Sequence, residues 1–517
     1  MPYFVIYNLL IKRKGANIMN TIPENLISPP GAQTPDTIAI VWDKNKSAKC
    51  YHIYIDDKFA GKTETTDYTL TDLKYATEYK IYIRSEIESG ELSDKSNEIY
   101  VTTDAKSEIL NIMQFGAIPD GETVNTKAIQ RAIDSCPVGG TVYVPNGKFV
   151  SGAIYLKSNM TLCVDGVLMG SGDIKDYPIM KYRFEGLETD CYASLINTTD
   201  GEKENIKITG NGTINANGVT LFEQEMEENK GKRGRAICIR NCKNFYMKDI
   251  TVRQSPAWCV HFIYCDGASF NNIKIHTRYD EDGNIYGHIF NGDGLDPDSS
   301  KNVYIFGCMI ASQDDCVAIK SGKDEEGRKV GISTENVRVT NCHFKSGFGV
   351  VVGSEMSGCV RNVLVQDCVF ENTYSVVSIK TPRGRGAVVE NIHYENNTHY
   401  NHDTSFSDCE WFRGAIYIDQ FYSHVTFDAD AKEGITDGTP VIRNILIENI
   451  KTETLTGNAI YLTGLPEMPL ENITLRNVTA TGKFGLKANN INGLTLDNVS
   501  VKSNEDEDYQ FKNVVRI

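Results

Sequence analysis

The sequence predicts an all-β protein, a right-handed parallel β-helix preceded by a small β-sandwich domain. Two observations predict this fold. Residues 23–104 contain short runs that alternate apolar and polar residues without a helical period, as expected of a sandwich. Across most of 105–517, an asparagine followed by an apolar residue opens one short strand after another. Strands that recur in this way indicate a solenoid, whose coils bury their apolar faces against one another.

The composition is that of a globular chain. It has 517 residues, 40% of them apolar, and a formal net charge of −15. The negative charge argues against a nucleic-acid partner, which would require a basic surface. No stretch reaches the roughly 18 consecutive apolar residues of a membrane span, so no membrane partner is expected.

Residues 1–22 are expected to form a disordered leader, or to begin upstream of a true start at Met19. Their apolar run precedes the basic cluster, which is the reverse of the order in a secretory signal. We therefore expect a cytoplasmic location and reduced thiols at the 14 cysteines. No Cys-x-x-Cys pair occurs, so no metal site is expected.

The N-terminal strands carry a recognisable core pattern. Trp42, Leu73 and Tyr79 occupy the positions of the core tryptophan and the L-x-x-x-x-x-Y corner of a fibronectin type III module, which residues 23–104 resemble. An unrelated small β-domain is the alternative. The segment carries no clustered catalytic groups, so a spacer or docking role is expected.

One segment predicts a helix. In NTKAIQRAIDSC, from Asn125 to Cys136, apolar residues recur at helical spacing. This amphipathic helix precedes the solenoid coils.

The asparagine repeat defines the register of the coils. Five residues after the asparagine, six coils carry a turn former, and the next position is apolar or cysteine. That column must point inward, so Cys308, Cys342 and Cys368 are expected to stack as thiols in the core. The asparagines that open strands are Asn159, Asn205, Asn244, Asn272, Asn302, Asn336, Asn362, Asn391, Asn444 and Asn472.

Adjacent carboxylates stand out in SQDDCVAIKSG, which contains Asp314 and Asp315. The repeat spacing stacks Asp314 against Phe348 of the next coil, places Asp293 about one coil upstream and Lys380 two coils beyond. Clustered acids repel, which raises at least one pKa and suits a general acid beside ionised partners. A solvated turn, or an outward-facing aspartate ladder, is the alternative.

Five motifs resemble a known family. FGAIPDGETVNTKAIQRAID, NGDGLDP, SQDDCVAIKSG, GFGVVVGSE and SIKTPRGRG are similar to the ordered motifs of glycoside hydrolase family 28, the polygalacturonases and their relatives, from about Phe115 onward. The exo-acting bacterial branch is the most similar, on CVAIKSG and KTPRGRG. The resemblance implies a pectin-lyase-like β-helix and an inverting hydrolase that cleaves alpha-linked galacturonic acid from pectin oligosaccharides without a cofactor.

The resemblance also implies catalytic roles. Asp314 would protonate the glycosidic oxygen, and Asp293 and Asp315 would hold and deprotonate the attacking water. In inverting enzymes the two catalytic carboxyl groups are typically about 6.5–9.5 Å apart, which leaves room for that water. Lys380 would bind the substrate carboxylate next to the cut.

Further substrate-binding residues are expected around these acids. Trp258 and His261, in SPAWCVHF, match a family motif that lines the groove, although a core tryptophan is an equal alternative. Lys320, Arg383 and Tyr422 are also expected to bind substrate.

Two positions depart from the family pattern. Its Gly-His-Gly is Gly347-Phe348-Gly349 here, and its Arg-Ile-Lys is Ser378-Ile379-Lys380. The missing histidine normally supports the catalytic acids, and the missing arginine normally binds a uronate. Phe348 and Ser378 are therefore expected to face the substrate, and the sugar after the cut, galacturonate or rhamnose, stays open.

A long insert follows Asn391 and contains EWFRGAIYIDQFYSH. Trp411, Arg413, Tyr417 and Tyr422 could wall off one end of the groove, and a blocked groove means chain-end cleavage. A plain surface loop is the alternative.

Four functions remain in competition. The leading hypothesis is an exo-acting galacturonidase on imported pectin oligosaccharides, with a rhamnogalacturonan-directed hydrolase of the same family as the second. A pectate lyase would need calcium and would yield an unsaturated product. A pectin-binding pseudoenzyme is favoured only by the two departures.

Overall fold

The computed structural model describes residues 21–404, 412–422, 428 and 430–517. Apart from its last two residues, the predicted leader lies outside this set, as does Trp411. Two compact units are present: the first ends at Ile109 and takes in Pro137–Thr141, and the second comprises Leu110–Cys136 and Val142–Ile517.

The first unit is an antiparallel β-sandwich. Its strands are β1 (Ile38–Val41), β2 (Cys50–Ile55), β3 (Lys58–Thr63), β4 (Asp67–Leu70), β5 (Glu78–Glu86) and β6 (Ile99–Thr102). One sheet pairs β1 with β4, and the other has the order β3-β2-β5-β6. Trp42 is fully buried between them, and the Tyr79 hydroxyl accepts a hydrogen bond from the Lys74 N–H at 2.8 Å. The predicted sandwich and its tyrosine corner are confirmed.

The remaining strands form the predicted β-helix, apart from the two strands of one hairpin. In chain order they are β7 (Ile109–Asn111), β8 (Asp120–Val124), β9 (Gly140–Val144), β10 (Lys148–Ser151), β11 (Ile154–Leu156), β12 (Met160–Val164), β13 (Val167–Gly170), β14 (Ile179–Phe184), β15 (Leu187–Tyr192), β16 (Ile196–Thr198), β17 (Lys203–Thr209), β18 (Thr213–Asn215), β19 (Ile237–Arg240), β20 (Cys242–Lys248), β21 (Thr251–Arg253), β22 (Val260–Ile263), β23 (Asp266–Asn271) and β24 (Lys274–His276). They continue with β25 (Leu295–Asp298), β26 (Lys301–Phe306), β27 (Met309–Ala311), β28 (Val317–Ile319), β29 (Thr334–Thr340), β30 (His343–Ser346), β31 (Val350–Gly353), β32 (Val360–Gln366), β33 (Val369–Glu371), β34 (Val377–Lys380), β35 (Val388–Glu395), β36 (Thr398–Asn401), β37 (Gly414–Asp419), β38 (Val441–Thr454), β39 (Asn458–Thr463), β40 (Leu470–Gly482), β41 (Phe484–Ser503) and β42 (Tyr509–Arg516).

These strands wind into a parallel β-helix, as predicted. Most coils supply three strands, so a strand pairs in parallel with the third strand after it, as β26 does with β29 and β29 with β32. One continuous apolar core runs along the inside and includes Cys308, Cys342 and Cys368. Every cysteine that the structure describes is a free thiol, so the predicted thiol ladder is confirmed.

The asparagines of the predicted repeat stack on one another in successive coils and form a ladder, with one exception. The Asn336 side-chain amide donates to the Asn302 side-chain oxygen at 3.1 Å, and both residues adopt the left-handed conformation of the corner. The assignment of Asn272 to this ladder was wrong, because its amide donates to Asp249 at the next corner. In that coil Gly267, at φ 85°, stands where the ladder asparagine was expected.

In the part of the chain that the structure describes, three α-helices are inserted between the strands. They are α1 (Thr126–Ser135), α2 (Gly218–Glu228) and α3 (Asp324–Val330). The predicted helix is α1, which buries Ala128, Ile129, Ala132 and Ile133. None of the helices in the described part of the chain is long and apolar enough to cross a membrane.

An antiparallel hairpin interrupts the coils. Strands β14 and β15 pair with each other rather than with the parallel sheets. Their turn, Glu185–Gly186, carries Gly186 at φ 78°.

Candidate active site

A cavity of about 420 Å³ lies over the outer face of strands β28, β31 and β34. Along these strands Val317, Ile319, Val350 and Val352 point into the core, so the alternate residues face outward. The cavity-lining residues on which the chemistry depends are Glu185, Trp258, Asp293, Asp314, Asp315, Lys320, Lys323, Glu355, Lys380, Arg385 and Tyr422.

The structure brings Asp293, Asp314 and Asp315 together in this cavity. The Gly294 N–H donates to the Asp315 carbonyl oxygen at 2.9 Å, so the coil of Asp293 stacks directly on the coil of the adjacent aspartates. The Asp315 N–H donates to the Asp314 carboxylate at 3.0 Å, which orients that side chain. Asp293 and Asp315 are each 2% exposed, whereas Asp314 is partly exposed.

Two buried lysines form ion pairs with the acids of the cavity. The Lys320 ammonium lies 3.4 Å from Asp293, 3.6 Å from Asp296 and 3.5 Å from Glu355. The Lys380 ammonium lies 3.1 Å from Asp315. Although burial opposes the charged form of each lysine, the facing carboxylates hold both pKa values well above the usual range. Both lysines are therefore cations in the resting protein.

Burial, more than mutual repulsion, sets the protonation of the acids. Loss of hydration raises the pKa of Asp315 to about 6, with Asp314 adding to the rise and Lys380 opposing it. Burial and then the nearby Asp296 raise the pKa of Asp293 well above its usual value. The expected pKa rise is thus present, but its main cause is desolvation.

Sequence reasoning missed Asp296 and Glu355. Asp296 is fully buried, and burial raises its pKa to about 7. Glu355 lines the cavity, and Lys320 and Arg385 outweigh its burial, so its pKa is below the usual value. Both acids stand inside the motifs NGDGLDP and GFGVVVGSE, so the signal was present in the sequence.

Trp258 lines the cavity, but His261 does not. The Lys320 ammonium lies 4.7 Å from the centre of the Trp258 ring, and Phe184 stacks against that ring at 5.0 Å. The prediction for His261 was wrong because Trp258 packs against the imidazole, which is fully buried. His261 Nε2 instead lies 3.3 Å from the Asp298 carboxylate.

Phe348 and Ser378 do not face the cavity, contrary to the prediction. Phe348 is 2% exposed and packs against Tyr374 and Phe412, with ring centres 4.9 Å and 6.2 Å away. Ser378 is completely buried. Phe348 therefore lies in a packed aromatic cluster and Ser378 is buried in the protein, so neither departure from the family motifs lines the cavity.

The glycine before Phe348 shapes the backbone of the acids. Gly347 has φ 85°, and a Cβ atom there would lie 2.1 Å from the Asp314 carbonyl oxygen. The Phe348 N–H donates to the same oxygen at 3.0 Å. The Gly-x-Gly motif thus supports Asp314 through the main chain, whatever the side chain between the glycines.

Arg385, rather than Arg383, is the arginine of the cavity. The predicted Arg383 points away, with Nε 2.7 Å from Glu467 and its guanidinium over the Phe421 ring. Arg385 donates from Nε to the Ser354 carbonyl oxygen at 2.8 Å. Sequence spacing could not separate two arginines that are two residues apart in a loop.

The predicted wall from the long insert is only partly present. Tyr422 lines the cavity, and the Lys380 ammonium lies 5.2 Å from its ring centre. Arg413 pairs with Asp419 at 3.0 Å, and Tyr417 is fully buried, so neither reaches the cavity.

The β14–β15 hairpin supplies a wall that the sequence did not predict. Glu185 at its tip lines the cavity. The carbonyl oxygen of Gly186 accepts a hydrogen bond from the Lys323 N–H at 3.2 Å, and a Cβ atom on Gly186 would lie 3.0 Å from the Glu355 side chain. The tip therefore rests on two cavity-lining residues.

Potential metal ligands lie outside the cavity. In the described ranges, Cys50, His52 and Glu86 form one group that could hold a cation, and His393, Glu395 and Glu448 form another. The cavity acids face lysine ammonium groups instead.

A parallel β-helix with a recessed cluster of carboxylates has the groups needed for general acid–base cleavage of a glycosidic bond. The comparison with known protein families agrees with this chemistry. The chain belongs to the glycosyl hydrolases family 28, whose model matches residues 137–504.

Individual relatives support this assignment. A probable polygalacturonase of Vitis vinifera is 32% identical over 400 residues, which cover 74% of this chain and 76% of that protein. An exo-poly-alpha-D-galacturonosidase of Dickeya chrysanthemi is 26% identical over 524 residues, covering 88% and 83%. The family 28 exopolygalacturonase of Yersinia enterocolitica shares the fold, with a TM-score of 0.82, 22% identity and coverage of 95% and 98%.

Proposed function

We propose that this protein is an exo-acting, inverting glycoside hydrolase that removes alpha-linked galacturonic acid from the ends of pectin oligosaccharides. The observation that carries the proposal is the convergence of Asp293, Asp314 and Asp315 in one cavity beside the hairpin tip. The similarity to an exo-poly-alpha-D-galacturonosidase over 88% of this chain supports the substrate and the mode of attack.

The three aspartates have complementary parts in the proposed reaction. Asp314, the partly exposed acid, gives its proton to the glycosidic oxygen as the bond from that oxygen to the anomeric carbon breaks. A water oxygen attacks the opposite face of that carbon, and its proton passes to Asp293 or Asp315. Lys320 and Lys380 favour the ionised forms of these two acids. A single displacement inverts the anomeric centre.

Chain-end cleavage is supported by the hairpin. Its tip, Glu185–Gly186, lies against Lys323 and Glu355 at the cavity. An oligosaccharide that enters an obstructed cavity can place only its terminal unit beyond the catalytic acids. The hairpin therefore obstructs the cavity in the way that the sequence predicted for the long insert after Asn391.

The structure gives less support to the alternative with rhamnose after the cut. That hypothesis rested on Ser378 replacing an arginine at the substrate, and Ser378 is fully buried outside the cavity. The same burial weakens the pseudoenzyme hypothesis, because neither departure from the family motifs lies among the cavity-lining residues while all three acids do.

Product analysis tests the proposal directly. An oligogalacturonate of defined length should release a single small product from the first time point, while the remaining chain shortens stepwise. Proton NMR during the first turnovers should show the β-anomer. An early mixture of chain lengths would contradict exo action, an α-anomer would contradict inversion, and an unsaturated product absorbing in the ultraviolet would indicate a lyase.

A further inference from the structure

Lys323 differs from the other cations of the cavity. Lys320 pairs with Asp293 at 3.4 Å, and Lys380 pairs with Asp315 at 3.1 Å. Arg385 is similarly engaged, with Asp324 at 2.5 Å. Lys323 lines the same cavity, yet within the described ranges its ammonium forms neither an ion pair nor a hydrogen bond.

The position of Lys323 is fixed at its main chain. Its N–H donates to the Gly186 carbonyl oxygen at 3.2 Å. A Cβ atom on Gly186 would lie only 2.5 Å from the Lys323 Cβ, so the lysine packs against the bare backbone of the hairpin tip. The base of the side chain is therefore held at the hairpin, while its charged end has no partner among the residues that the structure describes.

The helix that follows does not explain a lysine here. Lys323 is the N-cap residue of α3, and its side chain makes no capping hydrogen bond. Serine, threonine, aspartate and asparagine stabilise this position, because their oxygens accept hydrogen bonds from the first turn. A cation near the positive end of the helix dipole is also unfavourable. The residue is thus poorly suited to capping.

We infer that Lys323 is a specificity-determining residue that binds the carboxylate of a uronate sugar beside the hairpin tip. The identification of that sugar as galacturonate rests on the proposed function. Lys320, Lys380 and Arg385 would each have to weaken an existing pair to bind a second carboxylate, whereas Lys323 has no such pair within the described ranges. The resulting charge-assisted hydrogen bond is of the stronger class.

Binding measurements on the full chain test this inference without requiring catalysis. We would titrate wild type, Lys323→Gln and Lys323→Arg with D-galacturonate and with D-galactose by calorimetry. Lys323→Gln should weaken galacturonate binding by about 10-fold to 100-fold, the range for a hydrogen bond to a charged group, and should leave galactose binding unchanged. Lys323→Arg should retain most of the affinity.

Lys329→Gln is the matched control. Lys329 lies on the same short helix, is exposed, and pairs with Glu325 at 2.7 Å. Its replacement should leave binding of both sugars unchanged. Lys323→Asn should keep or raise the melting temperature, because asparagine is the better N-cap, which separates lost binding from lost folding.

The outcomes distinguish this inference from the proposed function. On digalacturonate, Lys323→Gln should raise KM with little change in kcat, because the contact is made equally in the ground and transition states. Suppose that wild type cleaves digalacturonate. The inference is overturned if the affinity of Lys323→Gln for galacturonate stays within about threefold of that of wild type, or if its affinity for galactose falls by the same factor as its affinity for galacturonate. If binding depends on Lys323 but oligogalacturonates are not cleaved, the proposed function fails instead.

Discussion

The Lys380 ammonium lies 3.1 Å from an Asp315 carboxylate oxygen, and the two side chains are only 8% and 3% exposed. Burial raises the pKa of Asp315 to about 6, and Lys380 limits the rise. The lysine therefore controls the pH at which this acid ionises. Binding a substrate carboxylate, its predicted role, would be a second task.

Replacing Lys380 by methionine should shift the pH profile. Without the Lys380 cation, burial of the Asp315 carboxyl is opposed less strongly, although Lys320 still lowers its pKa, so the pKa moves above about 6. Because the proposed mechanism uses ionised Asp315 beside the attacking water, the acidic limb of kcat/KM should move to higher pH. Lys380→Arg keeps the charge and should keep the limb near its wild-type position. A limb that stays in place in Lys380→Met would show that Asp315 does not control it.

Replacing either adjacent aspartate should reduce turnover severely. Asp314→Asn and Asp315→Asn should each lower kcat by at least about 10²-fold, the scale of lost acid–base assistance. Asparagine keeps the shape of the side chain but neither donates an acidic proton nor accepts one from water. Asp282→Asn, in an exposed turn, is the control and should be fully active. Near-normal turnover in either test variant would remove that residue from the proposed mechanism.

The coils and the meeting of the acids could be predicted because both follow from local rules. Corner residues such as Asn302 and Asn336 recur at regular intervals, and side chains alternate between the core and the outer face. Residues at equivalent places in neighbouring coils then stack. Asp293 and Asp315 meet for this reason, as the hydrogen bond between their neighbouring backbones shows.

The outer boundary of the cavity could not be predicted from the sequence. Some outward-facing side chains are covered by inserted segments, and the repeat does not indicate which ones. His261 has an outward register but lies beneath Trp258, and Phe348 packs with Tyr374 and Phe412. The β14–β15 hairpin and its contact with Lys323 join segments that are far apart in the chain. Repeat spacing contains no information about such contacts.

Gly347 should be needed for catalysis as well as for folding. In Gly347→Ala the new Cβ would meet the Asp314 carbonyl oxygen at 2.1 Å, so the backbone of the proposed acid must move. We expect a loss of kcat of at least about 10-fold, since small displacements of a reacting group are costly. Gly283→Ala is the matched control, because it has the same left-handed φ, at 82°, but meets nothing within 4 Å. Equal activity of the two alanine variants would contradict this role.

Ser378→Arg, which restores the family residue, should destabilise the protein rather than alter its specificity. Ser378 is 0% exposed, so an arginine there would bring a large charged group into a packed site, and burial of a charge is costly. The melting temperature should fall by several degrees, while Ser378→Ala should stay close to wild type. A stable arginine variant with an improved kcat/KM on digalacturonate over a substrate with rhamnose after the cut would show that Ser378 borders the substrate.

Asp296 should make the folded state less stable as the pH rises. Burial raises the pKa of Asp296 in the folded protein to about 7, from the usual aspartate value of 3.8. Between these values the folded state holds a proton that the unfolded state has released, so the contribution to stability is fully present at low pH and is lost as the pH rises through about 7. Asp296→Asn removes the ionisation. The difference between the urea unfolding midpoints of Asp296→Asn and wild type, measured at the same pH, should therefore shift in favour of the variant between pH 4 and pH 8.

Asp298 provides a control of opposite sign, two residues away on the same strand. Its carboxylate is also fully buried, but it pairs with Arg183 at 2.8 Å. Although burial opposes ionisation, Arg183 and His261 hold the pKa of Asp298 below its usual value. Its contribution is fully present above the usual aspartate pKa and is lost only as the pH falls below about 4, so the cost of Asp298→Asn, relative to wild type, should stay nearly constant from pH 8 to pH 4 and decrease at more acidic pH. If both asparagine variants changed in the same direction with pH, the opposite ionisation assigned to these two acids would be wrong.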